Sequence, residues 1–104
     1  MEKMIAKQNH RGPDASGTYF NDFVAFGHSR LSIIDLEASS NQPFYSKDNK
    51  FILIFNGEIY NYKEIRESLP DYHFRTNSDT EVVLAAYQKW GTNCVHQFNG
   101  MFAF

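Results

Sequence analysis

Few residues in this chain have the type and setting for chemistry: the pair Asn56-Gly57 with Glu58 beside it, Arg30, Asp79 and one thiol, Cys94. A side-chain amide from Asn56 and a backbone N–H from Gly57 can stabilise the negative oxygen of a tetrahedral acyl-transfer intermediate. Asn-Gly is equally a turn former, so the pair alone leaves both readings open. The guanidinium of Arg30 can clamp a carboxylate through two hydrogen bonds, or simply face water. Asp79 can hold a ligand's ammonium group, or complement a helix dipole. Taken together, Arg30 and Asp79 match the two charged ends of a free amino acid. His10, His28, His73 and His96 have no metal-ligand spacing, and one cysteine cannot build a zinc motif, so no metal site is expected. Cys94, in Thr92-Asn93-Cys94-Val95-His96, has no nucleophile motif around it and reads as a small buried residue. A phosphate-cradling Gly loop and a Gly-x-Ser-x-Gly elbow are both lacking.

The elements that must position these groups follow from pattern. Met1 to Gln8 has helical spacing, ended by His10-Arg11-Gly12-Pro13-Asp14. Turn residues at Asn21-Asp22 predict an antiparallel pair, Gly17 to Phe20 with Phe23 to His28. Leu31-Ser32-Ile33-Ile34-Asp35 is a further short strand, and Glu37 to Tyr45 a loop. The apolar run Phe51 to Phe55 predicts a strand buried on both faces, with Asn56-Gly57 at its end. Asn61 to Leu69 follows as a helix, with Asn61 as N-cap, Glu64 at the capping-box position and a Tyr60–Ile65 staple. Ser78-Asp79-Thr80-Glu81 is a capping box, and Val82, Val83, Ala86, Tyr87 and Trp90 continue that helix to Gly91. A strand starts at Gly100, and both ends of the chain are expected to be cut within elements.

A length of 104 residues, 42% of them apolar, suits one domain or part of one. Ten basic and twelve acidic side chains are mixed along the chain for a net charge of −2, which argues against nucleic-acid and membrane-surface partners. A single cysteine and the absence of a long apolar run point to the cytoplasm.

Five stretches in order, His10-Arg11-Gly12-Pro13-Asp14, Gly27 to Asp35, Asn56 to Asn61, Ser78 to Glu81 and Gly100 to Phe104, resemble the glutaminase domain of glutamine-hydrolysing asparagine synthetases. The resemblance runs over nearly the whole chain. It implies a partial class II glutamine amidotransferase domain over residues 1–104. The fold implied is α+β, the four-layer αββα sandwich of N-terminal-nucleophile hydrolases, incomplete at both ends.

In that family an N-terminal cysteine attacks the side-chain amide of L-glutamine with its own α-amine as base. The ammonia passes to a C-terminal, ATP-using synthetase domain that activates aspartate. By motif position, Arg30 would bind the glutamine carboxylate and Asp79 its amine. Asn56 and Gly57 would form the oxyanion hole, with Glu58 lining the site. Ser29 stands where the family often has a second basic residue. No cofactor is expected within this stretch, while ATP and Mg belong with the synthetase domain, and the resemblance leaves room for a homodimer of the full protein. The nucleophilic cysteine is absent from residues 1–104, so this stretch is expected to be inactive alone. Amidotransferases of sugar or polysaccharide modification share the glutaminase motifs and are an alternative, as is a non-catalytic amino-acid-binding module that has lost its nucleophile.

Overall fold

The computed structural model describes residues 2–8, 15–30 and 42–104. Its helices and strands fall into two compact units, residues 1–54 and 55–104. The expected strand at Leu31 to Asp35, the His10 to Asp14 segment and most of the Glu37 to Tyr45 loop lie outside the described residues.

In the first unit, helix α1 (Glu2–Gln8) packs against strand β2 (Ala25–Arg30). Strand β1 (Ala15–Phe20) pairs with β2 antiparallel, in a register that sets Ala15 opposite Arg30 and Phe20 opposite Ala25. The hairpin is the one predicted, but its turn takes in Phe23 and Val24. The cause is Asn21, whose Oδ1 accepts from Phe23 N at 2.8 Å and Val24 N at 2.9 Å, so both amides leave the ladder. Strands β3 (Phe44–Tyr45) and β4 (Ile52–Leu53) form a second antiparallel pair. Ser46 closes the link between them, its N–H reaching Phe51 O at 2.9 Å and its Oγ accepting from Phe51 N at 3.0 Å.

The apolar run Phe51 to Phe55 is therefore not one long strand covered on both faces. Leu53 and Phe55 are buried while Ile52 and Ile54 are only partly so, the alternation of a chain with one buried side. Strand β5 (Asn56–Ile59) begins where the predicted strand was to end, which places Asn56-Gly57 inside a strand and not after it.

In the second unit, β5 pairs antiparallel with β6 (Gly100–Ala103), Asn56 opposite Ala103 and Ile59 opposite Gly100. Helix α2 (Tyr62–Glu67) packs on helix α3 (Asp79–Trp90), which continues through a 3-10 helical segment, Gly91–Gln97. Ile59, Ile65, Leu69, Val82, Val83, Ala86 and Cys94 are among the buried residues of this unit. Gly91 ends α3 as predicted: its φ of 63° is a left-handed conformation that costs other residues, and its N–H bonds to Tyr87 O. No helix of the described residues is long and apolar enough to cross a membrane.

Candidate functional site

The pairing of β5 with β6 decides what Asn56, Gly57 and Glu58 present. Tyr60 N donates to Asn99 O at 2.6 Å, just beyond the ladder. Antiparallel alternation then turns the amide of Ile59 toward the opposite edge. Ile59 obeys this, since its N–H is taken by Asp79 Oδ2 at 3.1 Å. Gly57 stands two residues before Ile59, on the order of 7 Å along the strand from it. Gly57 has a φ of 141°, and a Cβ there would fall on Met101 O and lie 2.5 Å from Phe102 Cα, so no side chain fits between the strands. Asn56, Gly57 and Glu58 are all exposed.

Asp79 is the first residue of α3 and only 6% exposed. Its position comes from Ser78, an extended N-cap whose Oγ accepts from Glu81 N at 3.3 Å. Burial pushes the Asp79 carboxyl above the usual carboxylate range. The amides of Ile59, Asp79 and Thr80 work in the opposite direction, and the negative charge of Glu58 adds to the rise. The site therefore sets a desolvated carboxyl beside a second acid, an arrangement that favours a ligand with an ammonium group.

Two residues take roles that the sequence pattern did not disclose. Asn61 precedes α2 but makes no side-chain cap. Its Oδ1 accepts from Asn99 N at 2.8 Å and its Nδ2 donates to Gln97 O at 2.9 Å, clasping the end of β5 to the approach of β6. Tyr60, expected to staple to Ile65, is 60% exposed, while Ile65 is buried. Glu81, the fourth residue of the capping box, does not return its carboxylate to Ser78 N. It accepts instead from Thr76 N and Thr76 Oγ1, both at 2.8 Å, and from Arg75 N at 3.1 Å. The Ser-x-x-Glu pattern signalled a helix start but not this longer reach.

Arg30 is the last residue of β2, paired with Ala15 in the first unit. Cys94 lies in the 3-10 segment, wholly buried, with burial pushing its thiol up and away from the reactive thiolate. No group of three or more His, Cys, Asp or Glu among the described residues could hold a metal ion. Among the described residues, grooves lie at positions lined by no residue of β5. One of ≈ 220 Å³ runs along Leu69, Tyr72 and Gln88, and one of ≈ 680 Å³ along Tyr62, Arg66 and Phe74.

A family profile described as a glutamine amidotransferase domain matches residues 1–104. The chain is similar to glutamine-hydrolyzing asparagine synthetase 1 of Bacillus subtilis (strain 168), 47% identical over 109 residues that cover 99% of this chain and 17% of that protein. It is also 47% identical over 96 residues to glutamine-hydrolyzing asparagine synthetase B of Escherichia coli (strain K12), covering 91% of this chain and 17% of that protein. The asparagine synthetase of Sandersonia aurantiaca is 45% identical over 102 residues, with 98% of this chain and 19% of that protein covered. The chain thus spans less than a fifth of the length of these relatives.

Proposed function

The chain belongs to the glutamine amidotransferase domain family, and from that premise we propose that residues 1–104 bind L-glutamine for hydrolysis to glutamate and ammonia. What supports this reading is the order along β5, where Gly57 stands two residues before Ile59, whose N–H is held by the carboxylate of Asp79. Glutamine has a carboxamide at one end and an ammonium at the other, and these are the two groups such an arrangement can hold. The amide of Gly57 and the side-chain amide of Asn56 take the developing oxyanion. Asp79 takes the α-ammonium with Glu58 beside it, and Arg30 takes the α-carboxylate.

Hydrolysis by this route needs a thiol whose own free amine acts as its base. Cys94 is not that thiol, since it is buried and its amine is in a peptide bond. The reading assigns the attack to an N-terminal cysteine outside residues 1–104. The fold would be the four-layer αββα sandwich of N-terminal-nucleophile hydrolases, with residues 1–104 as part of it. The ammonia would pass to a synthetase domain that makes asparagine from aspartate, where ATP and Mg would act, in a cytoplasmic enzyme.

The test is ammonia release from L-glutamine by the complete protein, compared with Arg30→Ala, Asp79→Ala and a variant lacking the first cysteine. Each should impair glutamine use severely, the cysteine variant through kcat and the other two chiefly through KM. Normal use of glutamine by Asp79→Ala would return Asp79 to a helix-dipole role and overturn the assignment.

A further inference from the structure

We infer that Glu81, acting through Thr76, is the positioning residue that holds Asp79 against the edge of β5; this rests on the proposed role of Asp79 as the partner of the glutamine ammonium. Glu81 is 0% exposed, and burying a carboxylate is costly unless donors surround it. The donors it has are Thr76 N, Thr76 Oγ1 and Arg75 N, all in the segment that leads into α3. In an ordinary capping box the acid would turn to the N-cap amide. Here Ser78 N is 3.3 Å from Thr76 Oγ1 instead, and Thr76 Oγ1 lies 3.0 Å from Ser78 Oγ. Thr76 is held from a third side by Arg66, whose Nη1 donates to Thr76 O at 2.7 Å.

The segment is therefore folded back over the first turn of its own helix and anchored there by a buried charge. Asp79 follows the anchored cap directly. One of its oxygens is committed to Ile59 N, so any slip of the helix start moves the carboxylate along or off the edge of β5. Glu81 touches no ligand in this arrangement. It sets where the ligand's charge partner stands, and it does so through the hydroxyl and amide of one threonine.

The experiment compares L-glutamine with 4-carbamoylbutanoate, the same molecule without its α-amine, in steady-state ammonia release by the complete protein. The variants are Thr76→Val, which keeps the shape and removes the hydroxyl, Thr76→Ser, which keeps the hydroxyl, and Glu81→Gln. Losing one hydrogen bond to a charged group should raise KM for L-glutamine about tenfold in Thr76→Val, with kcat within about twofold of the parent. The preference for L-glutamine over the analogue should fall by the same factor, and Thr76→Ser should restore it. Glu81→Gln should act in the same direction, which keeps the test open if Thr76→Val fails to fold. A purely structural role would lower the amount of active protein and leave that preference unchanged. An unchanged preference in folded Thr76→Val or Glu81→Gln, beside a parent that discriminates, overturns the positioning role alone. A parent that does not discriminate overturns it together with the ammonium assignment of Asp79.

Discussion

Ile59 N–H donates to Asp79 Oδ2 at 3.1 Å, joining the edge of a strand to the first residue of a helix twenty positions later. The bond ties β5 to a carboxylate that burial has made reluctant to ionise.

The raised pKa of Asp79 has a consequence for stability. A carboxyl whose pKa rises on folding holds its proton more tightly in the folded state. Its stabilising contribution is full below the unfolded pKa and is lost as pH rises through the folded value. Asp79→Asn stays neutral and retains an oxygen for Ile59 N–H. It should melt at a higher temperature than the parent at neutral pH, and the gap should close in acid. Thermal melts across pH 3 to 8 (about the range in which carboxyls titrate) check this, and a lower melting temperature for Asp79→Asn at neutral pH would contradict it. The same substitution should weaken glutamine binding, a trade of function against stability.

Asn56→Ala should lower kcat by a factor on the order of 10²–10³ and leave KM nearly unchanged, as expected when a donor acts on charge that develops only in the transition state. Steady-state glutaminase kinetics decide it. A rise in KM with kcat intact would remove Asn56 from the oxyanion hole.

Gly57→Ala is predicted to fail for two reasons at once: the φ of 141° and the collision of the new Cβ with Met101 O. Backbone strain of this kind costs about 1–3 kcal/mol, before any separation of β5 from β6. Denaturant unfolding should show the loss, and ammonia release should fall with it. A stable, fully active Gly57→Ala protein would mean that the strands part without consequence.

Asn61 gives a test that separates two roles. As an N-cap it would be replaced well by Asp or Ser, but as a clasp it needs both an acceptor for Asn99 N and a donor for Gln97 O. Asn61→Asp and Asn61→Ser should therefore both destabilise, by about 1 kcal/mol for a hydrogen bond lost at a partly exposed position. Unchanged denaturation midpoints for both variants would favour capping.

Cys94→Ala should leave glutamine hydrolysis by the complete protein unchanged while costing some stability through lost packing in a closed interior. Thiol reagents should label Cys94 slowly in the folded protein, because the thiol is buried and its pKa raised. Loss of turnover specific to Cys94→Ala would overturn the account of the nucleophile.

What the sequence determined by itself is the set of features whose causes are local. Ser78 starts α3 and Gly91 stops it, and Asn21 closes the β1–β2 hairpin, because each acts on amides within a few residues of itself. The candidate residues Arg30, Asn56, Gly57, Glu58 and Asp79 are legible in the sequence as types alone, and their proposed roles come from the family resemblance. Tertiary structure alone decided what those residues face. Asn56-Gly57 opens one strand instead of following another because β6, residues 100–103, pairs with it. Asn61 gave up its cap for Asn99, 38 residues away, and Glu81 left the N-cap amide for Thr76. A polar side chain bonds to whichever donor the folded chain brings nearest. For Asn61 that donor arrives only when β6 has paired with β5, which no local pattern encodes.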